Sequence, residues 1–271
     1  RNLMQRAERR AAKRESRAVR TLLEADYLLG VADQTRLGAL RFRNEGDPVF
    51  QSPIGSGVPS LVRLAELLHA TERLERDEET DDDLRLIFAP GSSLGGARPK
   101  ASVVDNSGRL AIAKFPKEND LYRIELWEHV ALTLADNAGI EVPRHQLVDV
   151  AGKQALLSWR FDRDGNTRIP FLSAMSMLGA KDNVPMSYPE LADELARHGS
   201  NTAHDLKQLY RRVAFNILIS NVDDHLRNHG FLWGGVKGWT LSPAYDLNPV
   251  PTDVKQRVLS TRISMDDATC D

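Results

Sequence analysis

The chain holds a single cysteine, Cys270, in 271 residues. An internal disulfide and a thiolate metal cluster are therefore excluded. Long apolar runs are missing too. No stretch reaches about 18 consecutive apolar residues, so no membrane-spanning helix is expected. The opening RNLMQRAERR carries no apolar h-region, and a secretory leader is not expected there. Net charge is almost absent: 36 Lys+Arg stand against 38 Asp+Glu, leaving −2 with His neutral. The pI of about 6.4 gives no support to the chain itself as a nucleic-acid binder. His198, His204, His225 and His229 cluster but match no zinc spacing. A metalloprotease or hydrolase is not expected, nor is an internal repeat. These absences point to a cytoplasmic protein.

What is present is ordinary in amount. Apolar residues make up 41% and charged residues 27%, with 18 Gly and 13 Pro. Wholesale disorder and collagen-like structure are excluded. The length suits one large domain or two modest ones, with room for a sizeable core. Charge is uneven along the chain. Residues 1–20 hold eight Arg/Lys against two Glu, a net of +6, and residues 71–83 hold eight acids against two Arg, a net of −6. A basic helix can meet nucleic acid or an acidic partner. The plainer expectation is that it pairs within the protein.

Residues 2–19 read as a helix, being rich in Ala, Arg and Glu without Gly or Pro. A short helix is expected over 21–29 and one strand over 39–43. Leu61, Leu64, Leu67 and Leu68 repeat at helical spacing, in a helix expected to run into the acidic stretch ending at Asp83. Residues 99–116 read as a hairpin turned at Asn106-Ser107-Gly108. A helix over 121–138 follows, with Gly139 just past its end. Strands are expected over 144–149 and 154–160, and a turn at Asp164-Gly165. Helices over 188–198 and 202–219 come next, the second with Leu206, Leu209, Val213 and Ile217 on one face. Short strands over 230–233 and 239–241 close the pattern.

Four segments carry chemistry. The run Gly91-Ser92-Ser93-Leu94-Gly95-Gly96-Ala97-Arg98-Pro99-Lys100 could cradle a phosphate on its backbone N–H groups, or be a plain loop. It matches neither the Walker loop nor the dinucleotide fingerprint. Lys114 sits in the apolar strand Leu110–Phe115, either as a phosphate-holding lysine or as an outward edge lysine. Glu125 and Glu128 follow on one helix face, and a strand Lys with a helix Glu is the device protein kinases use on nucleotide phosphates. In Asn221-Val222-Asp223-Asp224-His225-Leu226-Arg227-Asn228, Asp223 and Asn228 are five apart. A kinase catalytic base and its metal-binding Asn have that separation. A polar helix cap is the alternative. Last, Asp246 in Leu241–Pro249 follows a hairpin, as a kinase metal Asp does, or is an ordinary turn residue.

These segments, in this order, resemble the HipA-like serine/threonine kinases, toxins of bacterial toxin–antitoxin modules. The matching text is TLLEADYLLGVADQTRLGALRF, PGSSLGGARPKA, IAKFP, AGIEVP, SWRFDR, NVDDHLRNHGFL and LSPAYDLNP, spanning about Leu22 to Pro249. The resemblance implies an α+β, bilobal protein-kinase-like fold. It divides the chain into a helical N-terminal region (1–84), an N-lobe with phosphate loop and hinge (85–163), and a C-lobe (164–271). Family members are longer on both sides, so the N-terminal subdomain and the C-lobe are expected to be truncated, with Cys270 at a broken-off end.

By the same resemblance, Ser93, Gly95, Gly96, Ala97 and Lys100 bind ATP phosphates. Ser93 is the autophosphorylated serine, with Ser92 a neighbouring candidate. Lys114 holds the ATP phosphates, Glu128 sits where the family has a helix glutamate, and Arg160, Phe161 and Asp162 form the hinge at the adenine and ribose. Asp223 is the catalytic base, and Asn228 and Asp246 bind Mg2+. His225 structures the loop. Aminoacyl-tRNA synthetases are the implied protein substrates and a HipB-like DNA-binding antitoxin the implied partner, with DNA reached only through it. Two other readings stay open: a small-molecule phosphotransferase on the same scaffold, and an inactive fragment that docks an antitoxin.

Overall fold

The computed structural model describes residues 1–50, 57–88, 98–181 and 184–269. They divide into two compact units, Arg1–Tyr122 with Leu147–Arg160, and Arg123–Gln146 with Phe161–Asp271.

The first unit is built on a four-stranded sheet. Strands β1 (Lys100–Val104) and β2 (Leu110–Lys114) form the expected hairpin, turned at Gly108. There φ is +76°, a conformation that favours glycine. Strand β4 (Lys153–Trp159) pairs antiparallel with β2, and β3 (His145–Val150) completes the order β1-β2-β4-β3. Ala101, Val103, Ala111, Ala113, Leu157 and Trp159 meet Leu64, Leu67 and Leu68 in one apolar core. The leucines lie on α3 (Leu64–Glu75), entered through a single 3₁₀ turn at Leu61–Arg63. Their 3–4 spacing is what places them on the buried face. Burying each such side chain contributes about 1.5–3 kcal/mol.

Helices α1 (Asn2–Arg14) and α4 (Asp81–Phe88) complete this unit with the short α2 (Glu24–Leu29). The basic start and the acidic stretch meet here. Arg6 pairs with Asp77 at 2.6 Å, Arg10 with Glu79 at 3.3 Å and Arg14 with Asp81 at 3.3 Å. Glu79 is only 6% exposed, so its charge is held by these arginines rather than by water. Arg6, Arg10 and Arg14 of the basic helix are thus paired within the protein.

Three expectations need correction. Helix α1 stops at Arg14, five residues early, where the Glu8–Arg17 pair folds the chain back. Residues 39–43, all described, form no strand; Arg36 and Arg41 stack on Phe42 and Phe50 instead. The helix of the leucines ends at Glu75, and a turn at Asp77, with φ +59°, separates it from α4.

In the second unit, α5 (Ile124–Asn137) ends in a Schellman turn. Gly139 has φ +73° and the Ile140 N–H reaches Ala135 O at 2.9 Å. After it come a two-residue hairpin of β5 (Arg163–Asp164) and β6 (Thr167–Arg168), then β7 (Phe171–Ser173) and α6 (Ala174–Met177). Helix α7 (Tyr188–His198) opens on a capping box, with Glu190 Oε2 accepting the Ser187 N–H at 2.7 Å. Helix α8 (Thr202–Leu218) is followed by β8 (Gly230–Trp233) and β9 (Trp239–Leu241). Both strands lie where the sequence pattern puts them. The three-residue β7, which pairs with β8, was too short to register as a pattern. Leu191, Leu195, Leu209, Phe231 and Leu241 form the core.

Candidate active site

The 220–229 loop takes its shape from the end of α8. The Asn221 N–H reaches Asn216 O at 2.9 Å and the Ser220 N–H reaches Ile217 O at 3.2 Å, a Schellman closure with serine at the left-handed position. Ser220 sits at φ +55°, where a Cβ costs about 1 kcal/mol. That turn aims the next residues in alternate directions.

Asp223 is exposed, while Asp224 is 1% exposed. Asp224 Oδ1 accepts the Ser260 N–H at 2.8 Å and the Thr261 N–H at 3.3 Å. Its Oδ2 accepts the Tyr188 hydroxyl. The Thr261 hydroxyl donates to Asp224 O at 2.7 Å, and the Ser260 hydroxyl to Val222 O at 2.8 Å. Burial pushes the Asp224 carboxyl up. Burial, with the Asp224 charge beside it, also pushes the Tyr188 phenol up.

Asn228 donates through Nδ2 to Asp223 O at 2.9 Å, so the two ends of the five-residue spacing meet. Its amide nitrogen is engaged, which leaves the oxygen as its ligand atom. His225 O accepts the Asn228 N–H at 2.7 Å and closes the turn. Asp246 stands at φ +59°, and Asn248 Nδ2 donates to its Oδ1 at 3.2 Å and its O at 3.3 Å. The Asn248 N–H reaches Asn221 Oδ1 at 3.2 Å. Asn248 Oδ1 is buried without a hydrogen-bond partner. Carboxylate and amide oxygens of this kind suit Mg2+, which binds through one or two carboxylates and keeps room for phosphate.

Beneath the loop lies a cavity large enough for about one water molecule, lined by Arg212, Asn216, Asn221, Asp224, Asn228 and His229 among others. His229 Nε2 faces Asp224 O at 3.2 Å; a carbonyl only accepts, so the ring proton sits on Nε2. Burial, then the nearby Arg212 charge, lowers the His229 pKa from 6.5 to about 4. Between those values the unfolded chain takes a proton that the folded ring refuses. Stability is expected to fall with pH through this window, by about 3 kcal/mol in total. Asp224, with its raised carboxyl, works in the opposite sense at the acid end. Urea denaturation of wild type and His229→Gln isolates the histidine part: the variant should lose the slope between pH 6.5 and 4. Equal slopes would refute the assignment.

Phe161 is half-buried against Tyr245 (ring centroids 5.6 Å) and Phe171 (6.3 Å), so it lies beside the segment that carries Asp246. Asp162 is fully buried and pairs with Arg163 at 2.8 Å. Glu128 is buried on α5, beside Glu125. In the first unit, the strand register sets Lys114 opposite Lys100. Arg160 donates to Thr35 O at 3.0 Å and Arg36 O at 3.5 Å. Ser92, Ser93, Gly95, Gly96 and Ala97 lie outside the described residues, as does Cys270.

Sequence reasoning missed the buried polar groups. Asp205, Gln208, Arg212 and Asn216 form a buried stripe along α8, at spacings of three and four. That spacing was visible, but the apolar face beside it drew the reading. Tyr188, Asp224 and His229 were also passed over as supports. The run Gly91-Ser92-Ser93-Leu94-Gly95 has the G-x-S-x-G spacing of a hydrolase nucleophile elbow. A nucleophile elbow follows a strand and precedes a helix. Here the run follows α4 and precedes β1, the reverse order.

The family model described as HipA-like C-terminal domain matches residues 92–270. A candidate kinase of Haemophilus influenzae is 26% identical over 188 residues, 59% of this chain and 54% of that protein. The candidate kinase Y4dM of Sinorhizobium fredii is 32% identical over 139 residues, 44% of this chain and 32% of that protein. The chain therefore spans about half or less of these relatives. Among solved structures, HipA of Shewanella oneidensis, in complex with HipB and operator DNA, matches with a TM-score of 0.62 and 22% identity. That match covers 86% of this chain and 59% of that one. The Helicobacter pylori proinflammatory kinase CtkA matches with a TM-score of 0.50 and 15% identity, over 63% of this chain and 69% of that one. At these identities the two structures show the fold alone, which is kinase-like. No helix among the described residues is long and apolar enough to cross a membrane.

Proposed function

The chain belongs to the HipA-like C-terminal domain family, and from that premise we propose that it is an ATP- and Mg2+-dependent serine/threonine protein kinase. It passes the γ-phosphoryl group to a serine hydroxyl of a protein, an aminoacyl-tRNA synthetase being the target class, and to its own Ser93. Its partner is a HipB-like DNA-binding antitoxin, through which alone it meets DNA. It acts in the cytoplasm.

The observation that carries this reading is the split between two adjacent aspartates. Asp224 is buried and fully engaged with backbone N–H groups and Tyr188. It cannot also reach a substrate. Asp223 presents an exposed carboxylate, tied through its carbonyl to Asn228. A base that orients and deprotonates an acceptor hydroxyl needs that exposure. Asn228 and Asp246 fit as the oxygen ligands of Mg2+, and ATP bound with that cation supplies the phosphoryl group. Lys114, on the apolar strand β2, is the counter-charge to the phosphates that the family resemblance implies.

Incubation with γ-labelled ATP and Mg2+, alone and with cell lysate, tests the reading. Label is expected on Ser93 and on a protein band. Label confined to small molecules would replace the protein kinase with a small-molecule phosphotransferase. Lys114→Met should weaken ATP binding about tenfold to a hundredfold, as loss of a charge-assisted phosphate contact does. Calorimetric titration with ATP checks it, and unchanged affinity would remove Lys114 from the site.

A further inference from the structure

We propose that Asn248, Asn221, Asn216 and Tyr188 form a positioning relay, a head-to-tail chain of hydrogen bonds that fixes Asp246 and the Asp223–Asp224 loop relative to one another. The functional part of the proposal rests on the kinase reading above; the geometry does not.

The links run in one direction. The Asn248 backbone N–H donates to Asn221 Oδ1 at 3.2 Å. Asn221 Nδ2 donates to Asn216 Oδ1 at 3.0 Å. Asn216 Nδ2 donates to Tyr188 Oη at 3.0 Å. The Tyr188 hydroxyl donates to Asp224 Oδ2. Both ends of the chain are chemically fixed. A backbone N–H can only donate, and an ionised Asp224 carboxylate can only accept. The orientation of each amide between them is therefore forced. Beyond the first link, the Asn248 side chain holds the Asp246 carboxylate.

Burial gives the chain its stiffness. Asn216, Asn221, Tyr188 and Asp224 are each 4% exposed or less. Bulk water does not reach these bonds, and aligned bonds in such surroundings polarise one another. A broken link would leave a buried donor or acceptor without a partner. The four residues come from α7, α8, the 220–229 loop and the segment after β9. The relay therefore joins the backbone of the proposed base to that of the proposed metal ligand, and none of its four side chains is itself assigned to substrate. They are positioning residues.

Tyr188→Phe keeps the ring in the core and removes the one atom that both accepts and donates. Asn221→Asp keeps the shape but cannot donate to Asn216. Each is expected to lower kcat for phosphoryl transfer about tenfold to a hundredfold, to raise the Mg2+ concentration for half-maximal rate, and to leave the ATP KM near wild type. Hydrogen exchange supplies a readout free of activity. The Asn248 N–H, three links from the tyrosine oxygen, should exchange faster in Tyr188→Phe. The amides of Leu191 and Leu195 in α7 should keep their protection. In the wild type, the side-chain NH2 groups of Asn216 and Asn221 should each show a slowly exchanging proton.

Unchanged Asn248 exchange in a folded variant overturns the relay, as does fast exchange of both side-chain amides in the wild type. A wild type that transfers no phosphate overturns the kinase reading instead, and the exchange results then decide the relay alone.

Discussion

Asp223→Asn is expected to lower kcat for phosphoryl transfer by about 10²- to 10⁴-fold, the range in which a positioned general base contributes. ATP affinity should stay near wild type, because the proposed role of Asp223 is toward the acceptor hydroxyl and not the phosphates. Stability should move by less than about 0.5 kcal/mol, because the Asp223 side chain is exposed. The Asn228 bond is to the Asp223 carbonyl, which the variant keeps. Single-turnover kinetics with labelled ATP separate chemistry from binding. A variant that transfers phosphate as fast as wild type would remove Asp223 as the base. A variant that merely raises KM would make it a binding residue.

Much of the fold could be read before any coordinates. Tyr188–His198, Gly230–Trp233 and Trp239–Leu241 lie where periodicity and turn residues put them. Each has a strong local cause: a Ser-x-x-Glu cap, a short apolar run, a glycine-rich turn. The losses have causes of another kind. Residues 39–43 alternate apolar with basic, yet their arginines find Asp33 and the Phe50 ring rather than a neighbouring strand. Strand β7 exists only because β8 offers it hydrogen bonds. Tertiary partners decided both, and local pattern cannot name a partner.

The site divides in the same way. The Asp223–Asn228 spacing is a property of one loop, and the loop turns so that the two residues meet. Asp246 was legible as an aspartate in a turn, but its left-handed backbone was not. Supports such as Tyr188 and Asn216 lie 36 and 8 residues before Asp224 in sequence, on helices whose periodicity explains them as packing alone. A tyrosine at a helix start is more often core than a clamp, and only its distance to Asp224 separates the two roles. The α8 stripe of Asp205, Gln208, Arg212 and Asn216 is the exception. Four polar residues on one face of a helix signal either a solvated face or a buried network. The burial decides, and a sequence does not state burial.

Asp224→Ala is expected to destabilise the protein by about 3–5 kcal/mol, far more than any change at its neighbour. The carboxylate accepts from Tyr188 Oη, Ser260 N and Thr261 N, all inside the protein. Hydrogen bonds to a charged group are worth about 1.5–3 kcal/mol each, and a buried donor left without an acceptor costs about 1–3 kcal/mol. Burial opposes part of this, since it raises the Asp224 carboxyl and removing the charge relieves that strain. The sum still favours a large loss, because three donors lose one acceptor at once. Asp224→Asn should cost less: its Oδ1 can keep the two backbone N–H groups, and the Tyr188 hydroxyl can turn to accept from the new amide. Urea denaturation at pH 7 checks the order, with alanine below asparagine below wild type. The 260–261 strand of chain is held to the loop by these same bonds and by the Ser260 and Thr261 hydroxyls. Amide exchange at Ser260 and Thr261 should therefore rise in Asp224→Ala before any global unfolding. If both substitutions cost the same, the aspartate contributes charge burial rather than its pattern of acceptors, and its place as the hub of the loop falls.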